Sequence, residues 1–298
     1  MSATREFLTP LVEAHLDARA GAEFRLQVEE IAAGVSNTRF AALLSRASRF
    51  APRIGLAPDQ ADRARAQELL GGWDPERWRV LEAWRVLLVL VRPDLETQEV
   101  VTALEEAFQY ADEGEARALY RVLAHMPQSG RFLGRAEEGC RTNIVPVFEA
   151  IACDTPFAFL HFGDLAWHQL ALKAVFIGAP LWRVHGLDER LSPELARMAL
   201  DLVDERRSAG RDVQHELWLC LGAHAGDRGL AAMKIELLCE RPLSRRAAAL
   251  ALGRAGVTEP VEEALAAEKD GATRTTMEAA LAGEVGQRQF ELLEVSGA

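Results

Sequence analysis

Apolar residues recur every three to four positions along most of the chain, in runs separated by Gly, Pro or short polar clusters. That spacing places them on one face of a helix. Ala, Leu, Arg and Glu dominate, while the β-branched and aromatic clusters that mark strands are scarce. Residues 7–33 read as one or two helices, with a break in the Gly21 region. Ser36 or Asn37 caps a helix running to about residue 50, and Pro52, Gly55 and Pro58 make the next connection. A helix over 58–70 carries Asp59 and Asp62 in its first turn, where the dipole favours acids, and Gly71-Gly72 ends it. Asp74-Pro75 then predicts a helix start, as N-cap followed by Pro. This helix carries Trp78, Leu81, Trp84, Val86, Leu88 and Val89. It is apolar over much of its circumference and should be buried, and Arg92-Pro93 stops it.

Residues 97–110 and 114–126 predict an antiparallel helix pair, and a similar unit recurs at 243–253 followed by a start at Glu259-Pro260. Such pairs, with small residues in the seam, resemble HEAT-type repeats, although their period is irregular. The expectation is an all-α fold, an irregular HEAT-like helical solenoid forming a single elongated domain over 1–298. The tail beyond Gly286 is expected to be loosely held.

Polar and aromatic residues crowd into 141–197 as nowhere else. Asp164 is expected to cap a helix over 165–177, on which Gln169 and Lys173 share one face. Trp167, Leu170 and Ala174 line an adjoining apolar stripe. Ser192-Pro193-Glu194 is a strong start signature for the next helix. Between the two lies a loop, 181–191, of mixed charge.

Composition narrows the function classes. Hydrophobic residues make up 49% and charged residues 27%, the profile of a globular protein, with a net charge of -11. That charge argues against binding nucleic acid or an anionic membrane surface. No apolar run is long enough to span a bilayer, and the first residues do not read as a signal peptide. The four cysteines form no CxxC pair, which fits reduced thiols in a cytoplasm.

His161, Asp164 and His168 have residue types that suit a metal, but the capping role of Asp164 would put His161 off the helical face. No metal site is expected, and no cofactor. P-loop, dinucleotide-binding and nucleophile-elbow patterns are missing. What remains is a cluster of opposite charges beside two indoles. Arg141, Asn143, Glu149, Asp154, Trp167, Gln169, Lys173, Trp182, Arg183, Asp188, Glu189 and Arg190 are the candidate ligand-binding residues. Trp and Arg suit a flat or anionic small molecule, yet the same charges could instead be an ion-pair network that fixes the loop.

At these residues the chain resembles the EboA family of metabolite traffic proteins. The likeness runs through Arg141-Thr142-Asn143, Phe148-Glu149-Ala150-Ile151-Ala152, Asp154 with Pro156, and Ala166-Trp167 with Gln169. It continues through Leu172-Lys173-Ala174, Pro180-Leu181, Arg183, Gly186-Leu187-Asp188-Glu189-Arg190, Glu194-Leu195-Ala196-Arg197 and Glu216-Leu217-Trp218. The chain departs from the family pattern at Thr155, Phe157-Ala158, Gly163 and His168. The resemblance implies a bacterial cytoplasmic protein, encoded near a UbiA-like prenyltransferase and a sugar-phosphate cyclase-like enzyme. It implies a part in moving a secondary metabolite or its precursor out of the cytoplasm, and supplies no catalytic residue.

Three functions stay open at this point. The first is a non-enzymatic binding or adaptor protein, whose partners are a small metabolite or other proteins of its biosynthetic and export cluster. The second is an enzyme acting on a prenylated or aromatic metabolite, with Glu149 or Asp188 as general acid or base. The third is a protein scaffold.

Overall fold

A computed structural model describes residues 3–294. Among them every regular element is helical, apart from one isolated antiparallel bridge between Gly55 and Arg79. The helices are α1 (Ala3–Glu13), α2 (Ala18–Ala32), α3 (Asn37–Ala47), α4 (Gln60–Leu69), α5 (Val80–Leu90), α6 (Gln98–Tyr110), α7 (Glu113–Val122), α8 (Leu133–Gly139) and α9 (Val145–Ala152). They continue with α10 (Phe157–His161), α11 (Asp164–Ile177), α12 (Pro193–Ser208), α13 (Gly226–Leu237), α14 (Pro242–Arg254), α15 (Glu259–Ala267), α16 (Gly271–Leu281) and α17 (Glu291–Glu294). Short 3-10 turns join several of them. The fold is all-α, and it divides into two compact units between Gly163 and Asp164.

The first unit is built around α5, which packs against α1, α2, α3 and α7. Val80, Ala83, Trp84 and every residue from Val86 to Leu90 are buried, so a face on each side finds apolar neighbours. Each fully buried Val or Leu side chain contributes about 1.5–3 kcal/mol. Its two charged residues are buried as well and are paired: Glu82 with Arg117, and Arg85 with Glu115. Trp84 donates its indole N–H to Gln27 Oε1 at 3.0 Å.

In the second unit α14 holds the centre, against α13, α15, α16 and the 3-10 turn His215–Cys220. The unbroken buried run from Ala247 to Leu252 explains how so many neighbours approach one helix: four of its six side chains are Ala.

Three expectations about elements need correction. The break in the first helical segment falls at residues 14–17, not at Gly21, which lies inside α2. The reason is Asp17, whose carboxylate accepts the Ala20 N–H at 2.7 Å and starts the second helix. Asp74-Pro75 does not open α5 either. The Asp74 carboxylate turns back to the Glu76 N–H at 3.0 Å and takes two bonds from Arg63, at 3.1 and 2.7 Å. The helix starts six residues later, where the Glu82 side chain accepts the Arg79 N–H at 3.0 Å.

The third correction concerns the tail. Phe290 and Leu293 are fully buried, and the Gln287 amide donates to the Trp182 and Val184 carbonyls at 2.8 and 2.9 Å. The segment after Gly286 is therefore tied down as far as it is described; 295–298 lie outside the described residues.

Candidate functional site

The predicted residues divide between the two units. In the first, Arg141 and Asn143 are exposed in the turn between α8 and α9. Glu149 is half-buried on α9, beside the buried Phe148 and Ala150. Asp154 is buried just past that helix, with φ +56 and its carbonyl accepting the Asp74 N–H at 3.1 Å. Asp is among the few residue types that tolerate this left-handed backbone.

In the second unit, α11 buries Trp167 and His168 and leaves Gln169 exposed. Lys173 is half-buried, with its ammonium 5.8 Å from the Phe176 ring. The Arg190 guanidinium lies 4.5 Å from the Trp167 ring centroid and bonds Asp164 at 3.0 Å. His168 Nε2 meets Ser192 Oγ at 2.9 Å, while that same hydroxyl caps α12 through the Leu195 N–H at 3.1 Å. Asp164, expected as the cap of α11, is instead its first helical residue, and its carboxylate is turned to Arg190.

The loop over 181–191 is anchored by residues that the sequence did not single out as a group. The buried Glu216 carboxylate accepts the N–H groups of Leu181 and Trp182, at 3.0 and 3.4 Å. Gln287 takes the carbonyls on the other side and exchanges bonds with Asp188: its N–H donates at 3.1 Å, and its Oε1 accepts the Asp188 N–H at 3.3 Å. Arg254 pairs with Asp188 and donates to the Val285 carbonyl at 2.9 Å. Trp182 and Arg183 come out 2% and 4% exposed, so both belong to the packed interior.

What this anchoring leaves open is a groove of about 450 Å³, lined by Asp188, Glu189, Leu191, Gly222, His224 and Arg254 among others. Two predicted residues, Asp188 and Glu189, are thus brought to one cavity. Gly222 has φ +48, which glycine adopts at least cost, and a Cβ there would lie 2.5 Å from Leu191 Cδ1 and displace that side-chain end. Glu189 and His224 are exposed, whereas the Arg254 side chain is 6% exposed, with its Nε buried and without a partner among the described residues. Carboxylates, a guanidinium and an imidazole around one opening suit a polar, hydrogen-bonding molecule.

Other chemistry finds less to use. Among the described residues no group of three His, Cys, Asp or Glu is placed to hold a metal. His161 instead meets Ser129 Oγ at 2.8 Å and packs on Phe157, and burial lowers its pKa. The four cysteines form no disulfide among the described residues. Burial pushes the Cys140 and Cys220 thiols up to about 12, which keeps them protonated and weakly nucleophilic at neutral pH. No helix among the described residues is long and apolar enough to cross a membrane.

The residues missed from sequence are Glu216, His224, Arg254 and Gln287. Glu216 was visible only as part of a family-like run. Arg254 and Gln287 lie 66 and 99 positions from Asp188, and no periodicity links them to it. Searches of curated proteins and of solved structures find no match. A family model described as "Metabolite traffic protein EboA" does match, over residues 4–222, which takes in the loop, Glu216 and Gly222. The chain belongs to the EboA family.

Proposed function

We propose that this protein is a non-enzymatic metabolite-binding or adaptor protein. It supports the traffic of a secondary metabolite or its precursor from a bacterial cytoplasm, together with other proteins of the same cluster. The family description supports the traffic role. The observation that carries the binding role is the groove beside a loop held by Glu216, Gln287 and Arg254. A loop fixed before the ligand arrives loses little further entropy on binding, which favours recognition.

The test is native mass spectrometry of the protein purified from its own host. A bound small molecule should appear as a reproducible extra mass on the wild-type chain. It should be lost from a Glu189→Ala/His224→Ala double variant, because both side chains are exposed at the groove. Their removal should change stability by no more than about 0.5 kcal/mol each. An extra mass unaffected by the double variant would place binding elsewhere. Trp182→Ala is a poor probe, since emptying that buried site costs about 3–5 kcal/mol and confuses binding with folding.

A further inference from the structure

A second cavity, of about 270 Å³, lies wholly inside the first unit. Four arginines line it, Arg53, Arg79, Arg85 and Arg117, in a chain whose net charge is -11. The lining carboxylates are Glu82, Asp112 and Glu113. Glu82 is already met by Arg117 at 2.6 Å, by Arg121 at 3.6 Å and by the Arg79 N–H. Asp112 is engaged as the cap of α7, accepting the Glu115 N–H at 2.7 Å. Glu113 reaches Arg117 only at 4.0 Å.

Arg85 is the group that points to a ligand. Its side chain is 3% exposed. Nε donates to the Leu44 carbonyl at 3.0 Å and Nη2 reaches Glu115 at 3.4 Å, but Nη1 has no partner among the described residues. That nitrogen faces Gly114 in the cavity wall, where a Cβ would sit 3.1 Å away. Burial holds the Arg85 pKa below its ordinary value, although Glu115, Asp112 and Glu82 all oppose the shift. The side chain as a whole is buried, but Nη1 is not one of its fully enclosed atoms, so this donor opens into the cavity, where a ligand oxygen can take the place of water. The first turn of α7 adds to this: Asp112 takes the Glu115 N–H, and those of Glu113 and Gly114 have no acceptor within the helix.

The geometry points to an anion site here, which takes the phosphate group of a small molecule on Arg85, Arg53 and the first turn of α7. Donors converging from a loop and two helices suit a tetrahedral group with several acceptor oxygens better than a planar carboxylate. The site is separate from the Asp188 groove and stands whether or not that groove binds anything.

The test is calorimetric titration of the full-length chain with inorganic phosphate and with pyrophosphate, against chloride at matched ionic strength. Saturable binding is expected. Arg53→Ala should weaken it by about tenfold, since Arg53 is exposed and its loss removes charge without disturbing the core. Gly114→Ala should weaken it as much by crowding Arg85 Nη1. Ala favours helix over Gly, so that variant should melt no lower than the wild type. Glu189→Ala, in the other unit, should bind phosphate as the wild type does. Absence of saturable binding by both probes, or binding that neither Arg53→Ala nor Gly114→Ala diminishes, overturns the assignment.

Discussion

Single residues decide whether the loop over 181–191 is a fixed wall, and Glu216 is the first of them. Its carboxylate accepts two buried backbone N–H groups, those of Leu181 and Trp182. Glu216→Ala should therefore lower unfolding stability by about 2–4 kcal/mol in urea titration, against less than 1 for an exposed glutamate such as Glu189. A second residue sets a pH dependence. The His125 ring packs 4.4 Å from Trp73 and 6.0 Å from Trp78, with Nδ1 3.2 Å from Thr4 Oγ1. The residue keeps a little solvent contact, yet burial of the ring pulls its pKa down to about 3. The unfolded chain binds a proton at this histidine below about pH 6.5, and the folded chain does not until about pH 3. Stability is thus present above that window and falls with decreasing pH inside it, by at most about 1.4 kcal/mol per unit from this group. Urea midpoints between pH 7 and 5 should show a shallower slope in His125→Asn than in the wild type. Equal slopes would mean that His125 titrates normally. None of this was legible from sequence, where a lone His beside no motif has no readable environment.

Elements were legible where local chemistry decides them. Ser36 and Ser192 before Pro193 each cap a helix as the sequence suggests, because a cap is satisfied within three or four residues; Asp59, expected inside the first turn, is instead the cap of α4, in a box with Asp62. The same reasoning went wrong at Asp74, whose carboxylate bonds Arg63, eleven positions earlier. Local pattern cannot reveal that a distant side chain will compete for a cap. The tail failed in the same way: Gln287 looks like an ordinary polar residue until the Trp182 and Val184 carbonyls are in place. Gln287→Ala should leave both without that partner, and amide exchange should quicken across 181–191 by about tenfold while α12 is unchanged. Unchanged exchange in the loop would show that Glu216 and Arg254 hold it without Gln287.

For the whole molecule, the family match and the folding unit end in different places. The match stops at residue 222, yet the turn His215–Cys220 packs its apolar side chains against α14, and Arg207 bonds Glu236 at 3.0 Å. A chain cut after residue 222 should lose the cooperative melting of the unit that begins at Asp164, as followed by circular dichroism. The charge cluster at 141–197 was found from sequence, but its division by the unit boundary was not, and neither was the groove, whose walls come from Asp188, Glu189, Leu191, 222–224, Arg254 and 285–286. Binding in that groove is the central claim. Hydrogen exchange of the protein as purified from its host, compared with the same protein stripped of small molecules by unfolding and refolding, tests it most directly. The account predicts slower exchange in the loaded form, confined to peptides covering 186–191 and 222–226. Identical exchange at both peptides, in a preparation whose bound molecule is confirmed by mass, would contradict it.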